Sequence, residues 1–401
     1  MILNKDFLPD NAGPSSSEPP PPFTDIDESS HLLIDITPLE LEPPPQFAPY
    51  DAEFFTTGNG DIVSHDAHLN TDGEALYRFL LSQSLQAPYY QLHCRGTHTE
   101  SRPRFVNRTN SDGSTRQDTE FDTVPITDFD FYIDIYPSPP TSSTSLNDSC
   151  GPVHWSVSDS EPAYRGHMVQ EIELPLGGGK RKATWSESRE YAKRCSERVT
   201  RGSPPWVSRD NTSQSVALRS SKSLRQWADE YCASSKHLKE FVYEKVLYGW
   251  DIKQLEEAVR TIISTTSYDE SIEVSFNIKN SKVYVRPHND LSRMLSNKWL
   301  KFLCIIFLIY PFIWLFRRFY SGGRWEVCGG AYSFKREVTE DGPETIGRER
   351  KLIGVREGEW FRKWEGVIRR SVLRRYVSST PVTLSSDEED HRSLVGYLDG
   401  Y

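Results

Sequence analysis

The stretch "WLKFLCIIFLIYPFIWLFRRFY", residues 299–320, decides how the rest of the chain is read. Phe302–Phe316 runs 15 residues without a charge. As a helix that is only ~22 Å, short of a hydrocarbon core of ~30 Å. Counted from Trp299, with the Lys301 side chain snorkelling outward, the run reaches 18 residues. That is ~27 Å, a length suited to the thinner bilayer of the endoplasmic reticulum. Trp299, Tyr310, Trp314 and Tyr320 add aromatics, those near the ends suit interfaces, and Arg317 and Arg318 close the run with charge. Pro311 would break a soluble helix, but membrane helices accommodate such a break. The plainer alternative is a core helix, yet nothing else in so polar a chain looks able to wrap it on all sides. A membrane segment over 299–318 is therefore expected.

The flanks give no orientation. Residues 279–301 hold six Lys/Arg and residues 317–337 hold five, so the positive-inside rule is silent. Equal charge also suits a shallow hairpin bent at Tyr310-Pro311, with both ends cytosolic. If the segment spans, residues 1–298 are expected in the cytosol, because "MILNKDFLPD" has no basic stretch followed by an apolar run.

With 401 residues there is room for two modest domains plus tails. The net charge of −10 is unevenly spread: residues 1–140 carry 7 Lys/Arg against 23 Asp/Glu, residues 141–381 carry 39 against 29. The basic share thus surrounds the apolar run, as expected beside anionic headgroups. Six cysteines follow no framework spacing, which argues against a disulfide-stapled fold and a structural zinc site.

Residues 1–50 contain 11 of the 26 prolines, with one Lys against nine Asp/Glu. So acidic and proline-broken a tail is expected to be disordered. Within it, "SEPPPPF" favours polyproline II, and "ESSHLL", with Glu28 before Leu32-Leu33, resembles an acidic dileucine sorting signal. Residues 51–137 read as a small α+β domain. A helix with Leu76, Phe79 and Leu80 on one side precedes strand-like runs at "YYQLHCRGTHTE", "RFVNRT", "TEFDTV" and "TDFDFYIDIY". The turn "NSDGS" lies among them. In the last run Phe129, Phe131, Ile133 and Ile135 share one face and Asp128, Asp130 and Asp134 the other, expected to be solvated.

Residues 138–179 read as a linker, with a basic helix over 180–200. The second ordered unit, 180–298, is read as helical at "SLRQWADEYCAS", "KHLKEFVYEKVLYGW" and "DIKQLEEAVRTIIST", with Ser223 and Asp251 as N-caps. A β-hairpin, "SIEVSFNI" then "KVYVRP", follows. Residues 319–377 are expected to hold a strand at "RWEVCGGAYSF" and a basic helix; 378–401 is an acidic tail expected to be disordered. The fold class is thus α+β: an antiparallel-β-rich first domain, a helical second unit with a hairpin, and one membrane-embedded helix.

In that basic helix Trp360, Phe361, Trp364 and Ile368 share one face, and Arg369 and Arg370 lie on the other. This is the pattern of an interfacial anchor, though the same aromatics also suit packing on the protein. Ser385 and Ser386 each stand three residues before a carboxylate, the spacing an acidophilic kinase reads. "LGGGKR" has Leu174 and Arg181 where a phosphate-binding loop needs Gly and Ser/Thr, so nucleotide binding by that route is excluded. His93, Cys94 and His98 cluster without a second ligand pair at metal spacing. No catalytic signature is found, and no cofactor is expected.

At "RSSKSLRQWADEYCASSKHLKEFVYEKVLYGW", "FNIKNSKVYVRPHNDLSRMLSNKWLKF" and "GGRWEVCGGAYSF" the chain resembles a family of uncharacterised fungal membrane-associated proteins. The resemblance extends from roughly residue 50 to 376 and includes "HLNTDGEALYRFLL" and "ITDFDFYID". It implies a fungal source and membrane association, and no activity or site residue. The expectation is a non-enzymatic adaptor, tether or scaffold at an endomembrane. Its partners would be membrane lipids and cytosolic proteins, not nucleic acid. The alternatives are an enzyme or lipid-handling protein with a site between the two units, or a subunit of a larger membrane complex.

Overall fold

A computed structural model describes residues 50–109, 115–137, 152–174, 179–206, 220–339 and 350–384. The architecture is α+β. The larger of its two main sheets holds β1 (Phe54–Thr56), β2 (Ile62–Ser64), β5 (Val153–Ser156), β6 (Tyr164–Arg165), β9 (Leu238–Tyr248), β11 (Lys282–Val285) and β12 (Gly322–Ser333). Their spatial order is β1-β2-β11-β9-β12-β5, with β6 also paired to β12. The smaller sheet has the order β10 (Ser271–Lys279), β3 (Tyr89–Thr109), β4 (Thr115–Ile135), β15 (Val377–Pro381). Two ribbons, β7 (Glu171–Glu173) with β8 (Lys180–Lys182) and β13 (Lys335–Thr339) with β14 (Arg350–Gly354), complete the strands.

Each sheet packs its own helices. Helices α1 (Gly73–Ser84) and α3 (Leu224–Ala233) bury Leu76, Phe79, Leu80, Trp227 and Tyr231 against Phe241, Tyr243, Val283 and Val285 of the larger sheet. Local signals start both helices: the Asp72 carboxylate accepts from Glu74 N at 2.9 Å, and Ser223 forms a capping box with Gln226. Helices α4 (Ile252–Thr265) and α8 (Glu357–Leu373) lie on the smaller sheet, over Leu92, Phe129, Phe131 and Ile133. Asp251 caps α4 as expected. Phe129, Phe131 and Ile133 are fully buried, each worth about 1.5–3 kcal/mol of burial. A basic helix, α2 (Trp185–Thr200), has a Thr184–Glu187 capping box.

Several expectations change. "KHLKEFVYEKVLYGW" is not a helix but β9, between antiparallel β11 and parallel β12. Its Leu238, Phe241 and Val242 fit either period, and pairing on both edges decides for the strand. The runs at 89–109 and at 115–135 are each one continuous strand. The turn "NSDGS" falls outside the described residues over 110–114. The hairpin at 271–285 does not form: β10 pairs with β3, whereas β11 pairs with β2 and β9. Asn280, at φ 55°, turns the chain from one sheet to the other.

The stretches drawn as separate units, 51–137 and 180–298, share both sheets. The expected linker also contributes β5 and β6 to the larger one. Long-range pairing of this kind leaves no local trace.

The outward face of β4 is less wet than its aspartates suggest. Asp128 is buried; it accepts from His98 Nδ1 at 2.7 Å and Tyr268 Oη at 2.9 Å. Asp130 meets His93 at 2.8 Å, and Asp134 accepts from Gln91 at 2.9 Å.

Candidate functional site

The apolar run is two helices. Asn297 caps α6 (Lys298–Ile306), accepting from Trp299 N at 3.0 Å, and α7 (Tyr310–Phe316) follows after a break. Leu308 adopts φ 55° there. Leu308 N donates to Ile305 O at 3.1 Å and Ile309 N to Cys304 O at 3.0 Å, which closes α6 with a Schellman-type turn. A leucine in this conformation costs roughly 1–2 kcal/mol. Pro311 sits in the first turn of α7, where no amide N–H is needed. The expected single helix is therefore bent, by 103°, and at Phe307–Ile309 rather than at Tyr310-Pro311. Among the described residues no single helix is long and apolar enough to cross a membrane.

The two arms, Trp299–Ile306 and Tyr310–Phe319, are ~12 Å and ~15 Å long at about 1.5 Å per residue. Each is near half of a ~30 Å hydrocarbon core. Their side chains face outward: Phe302 is 54% exposed, Phe307 67% and Phe312 73%, with Trp299, Ile306, Leu308, Trp314 and Phe316 also exposed. Cys304 is buried, its Sγ 3.9 Å from Met294 Sδ on α5 (Asp290–Ser296). The core-helix alternative fails on this exposure.

Both ends of the pair are fastened to the same sheet. Ahead of α6, Ser296 Oγ lies 3.0 Å from His65 Nε2 and accepts from Arg286 Nη1 at 2.8 Å. Arg286 pairs with Glu240 of β9 at 2.6 Å, and Arg317, just after α7, reaches Glu240 at 3.1 Å. Burial pushes the Glu240 carboxyl up, but Arg286, Arg317 and Arg324 outweigh it and hold it below the usual range. The π-helical turn Arg317–Ser321 then delivers Gly322 to its pairing with Leu238. A Cβ at Gly322 would stand 2.0 Å from the Arg317 carbonyl oxygen, so the close return requires glycine.

Beneath α7 lies a cavity of about 300 Å³. Arg286, Arg317, Arg318, Arg324 and Lys301 line it, with Glu240 as its one carboxylate, and Leu295, Tyr310, Ile313 and Trp314 add apolar lining. Lys239 also borders it, but its ammonium is turned to the carbonyls of Asn70, Tyr231, Cys232 and Ser234. Rings steady the cations: Lys301 lies 5.6 Å from the Tyr310 ring, Arg318 5.6 Å from Trp314, and Arg324 4.9 Å from Tyr164. Arg324 also pairs with Glu326 at 2.8 Å. The Nε atoms of Arg317 and Arg324 are buried without an acceptor.

The other expected sites lie elsewhere. On α8, Trp360, Trp364 and Ile368 are buried in the core over α4, Phe361 is partly buried, and Arg369 and Arg370 are exposed. Helix α8 is thus no interfacial anchor: Trp250, at 5.8 Å between ring centres, and Phe334 occupy the space lipid would need. His93 and His98 turn to aspartates while Cys94 points into the core, and among the described residues no three metal-binding side chains converge. Glu28, Leu32, Leu33, Ser385 and Ser386 lie outside the described residues.

The sequence points to Arg317, Arg318 and Lys301 but not to Glu240, Arg286 and Arg324. Only Glu240 has a local trace, the alternation in "LKEFVYEKVLY" that puts Glu240 and Glu244 on one face once the run is read as a strand; Arg286 and Arg324 have none.

No family model, no curated protein and no solved structure matches the chain.

Proposed function

We infer that the protein is a membrane-anchored, non-enzymatic adaptor, tether or scaffold, held at an endomembrane by residues 299–319 dipping into one leaflet. The observation that carries this reading is the exposed apolar helix pair whose two ends meet at Glu240. Exposed apolar surface of this extent, rimmed by Lys301, Arg317 and Arg318, is costly in water and suits lipid beside anionic headgroups. A spanning path would put α5 and β12 on opposite sides of the bilayer. Yet Ser296 of α5 accepts from Arg286, which pairs with Glu240 of β9, and Gly322 of β12 pairs with Leu238 of the same strand. A re-entrant anchor leaves both flanks on one side, the cytosolic side for residues 1–298, and leaves the acidic tails free to recruit cytosolic proteins. Membrane association also agrees with the fungal resemblance at "NKWLKF" and "GGRWEV".

The test is alkali extraction of membranes together with a glycosylation sequon introduced near Ser385. Alkali-resistant association with an unmodified, protease-accessible C-terminus is the expected result. A glycosylated, protected C-terminus would replace the re-entrant path with a spanning one, and complete release by alkali would remove integral anchoring.

A further inference from the structure

We propose that the basic cavity beneath α7 is a binding site for the phosphomonoester headgroup of an anionic phospholipid, seated where the apolar helix pair meets the sheet. This rests on the re-entrant membrane reading and adds a ligand class to it.

Four observations carry it. The first is charge: Arg286, Lys301, Arg317, Arg318 and Arg324 converge on a space that holds one carboxylate, Glu240. Glu240 engages Arg286 and Arg317, and Glu326 engages Arg324, which leaves a positive excess facing the cavity. The second is donor geometry. Guanidinium groups present planar pairs of N–H donors suited to phosphate oxygens, and here the Nε donors of Arg317 and Arg324 are buried without an acceptor. Those two atoms are closed to the cavity, so the donors an incoming oxyanion reaches are the terminal groups of Arg318 and Lys301, both on exposed side chains.

The third is shape. The cavity of about 300 Å³ is lined by these cations and also by Ile313, Trp314 and Leu295. A free anion would not need the apolar wall; a phospholipid has a glycerol and acyl chains to lay along it. The fourth is position. Lys301 and Arg318 stand on the two arms of the bent pair, over Tyr310 and Trp314. Insertion of the arms therefore brings the cavity mouth to the headgroup layer, where surface charge is negative.

Phosphatidic acid exposes a phosphomonoester, whereas phosphatidylserine carries a diester phosphate capped by serine. The experiment uses the full chain with vesicles of phosphatidylcholine alone, or with phosphatidic acid or phosphatidylserine added to equal surface charge. Binding is read by flotation, and inorganic phosphate is tested separately as a soluble ligand by thermal shift. Binding to all three with about tenfold preference for phosphatidic acid is expected. Arg318→Gln with Lys301→Gln, both on exposed side chains, should abolish that preference while binding to neutral vesicles persists. Arg318→Lys with Lys301→Arg, which keeps both charges on the same exposed positions, should keep most of the preference. A folding defect would lower binding to neutral vesicles as well, so the neutral-vesicle readout separates site from scaffold.

Equal affinity for phosphatidic acid and phosphatidylserine would overturn the headgroup site and leave the membrane anchor standing. Absence of binding to every vesicle would overturn the anchor itself. Strong stabilisation by inorganic phosphate, without lipid preference, would overturn the lipid source and reassign the cavity to a soluble phosphate ester.

Discussion

Glu240 Oε2 lies 3.1 Å from Arg317 Nη2, and its other oxygen lies 2.6 Å from Arg286 Nη2. One largely buried carboxylate thereby joins the strand that leads into the apolar helices to the turn that leads out of them. Residues far apart in sequence are held as the two feet of one loop, and the loop's tip is free to insert elsewhere.

Replacing that carboxylate should be costly. Glu240→Gln leaves two partly buried guanidinium groups facing each other, a loss of about 3 kcal/mol expected in urea unfolding at neutral pH. The folded-state carboxyl is held below its ordinary value, so its contribution is complete above about pH 4.3. It fades as pH falls through the lower folded value. The difference between wild type and variant should therefore persist at neutral pH and close in acid. A difference independent of pH would mean that packing, not charge, is lost.

The exposed apolar tip should serve membrane binding and not folding. Phe302→Ser with Phe312→Ser removes two of its exposed rings. It should reduce flotation with phosphatidylcholine vesicles by at least about tenfold, since burying each ring is worth roughly 1.5–3 kcal/mol. Stability in solution should stay within about 0.5 kcal/mol. A large loss of stability would show that these rings pack on protein.

Lys245 predicts an alkaline signature. Its ammonium is buried and donates to Gln86 O at 2.9 Å and Asn280 Oδ1 at 3.2 Å. Burial lowers its pKa from 10.5 to about 8. Between those values the unfolded chain binds more protons than the folded one, so this group makes stability rise with pH across that window. Lys245→Met should flatten that rise in melting temperature measured between about pH 8 and pH 10.5. An unchanged profile would show that the ammonium is well solvated.

Gly96 makes room for a ring. A Cβ there would stand 2.2 Å from the Phe129 ring, which lies across the strand. Gly96→Ala should cost about 1–3 kcal/mol, and Phe129→Leu in the same chain should recover part of it. Independent, additive losses in chemical denaturation would mean that the two residues do not interact.

Where the governing forces were local, the chain could be read directly. Ser223 and Asp251 cap their helices because a short polar side chain before an apolar period satisfies free amide groups within one turn. Phe129 to Ile135 alternate into the core because a strand turns successive side chains to opposite faces. The candidate site was legible in its apolar part and in the charges that flank it, Lys301, Arg317 and Arg318. Trp299 to Phe316 declared themselves by composition, while Glu240, Arg286 and Arg324 did not. Each of the three is an ordinary charge in an ordinary run until β9, β11 and β12 are set side by side.

Composition and period alone determined that this chain has an α+β core, an acidic proline-rich N-terminal region and an apolar run needing burial. Tertiary structure decided the rest. It made "LKEFVYEKVLY" a central strand, because β11 and β12 supply hydrogen-bond partners on both its edges. It turned Trp360 and Trp364 inward, because α4 and the smaller sheet offered them a dry surface. And it bent the apolar run by 103°, because the chain closes α6 in a turn at Leu308, and it brought Arg286 and Arg317 from the two ends together on Glu240.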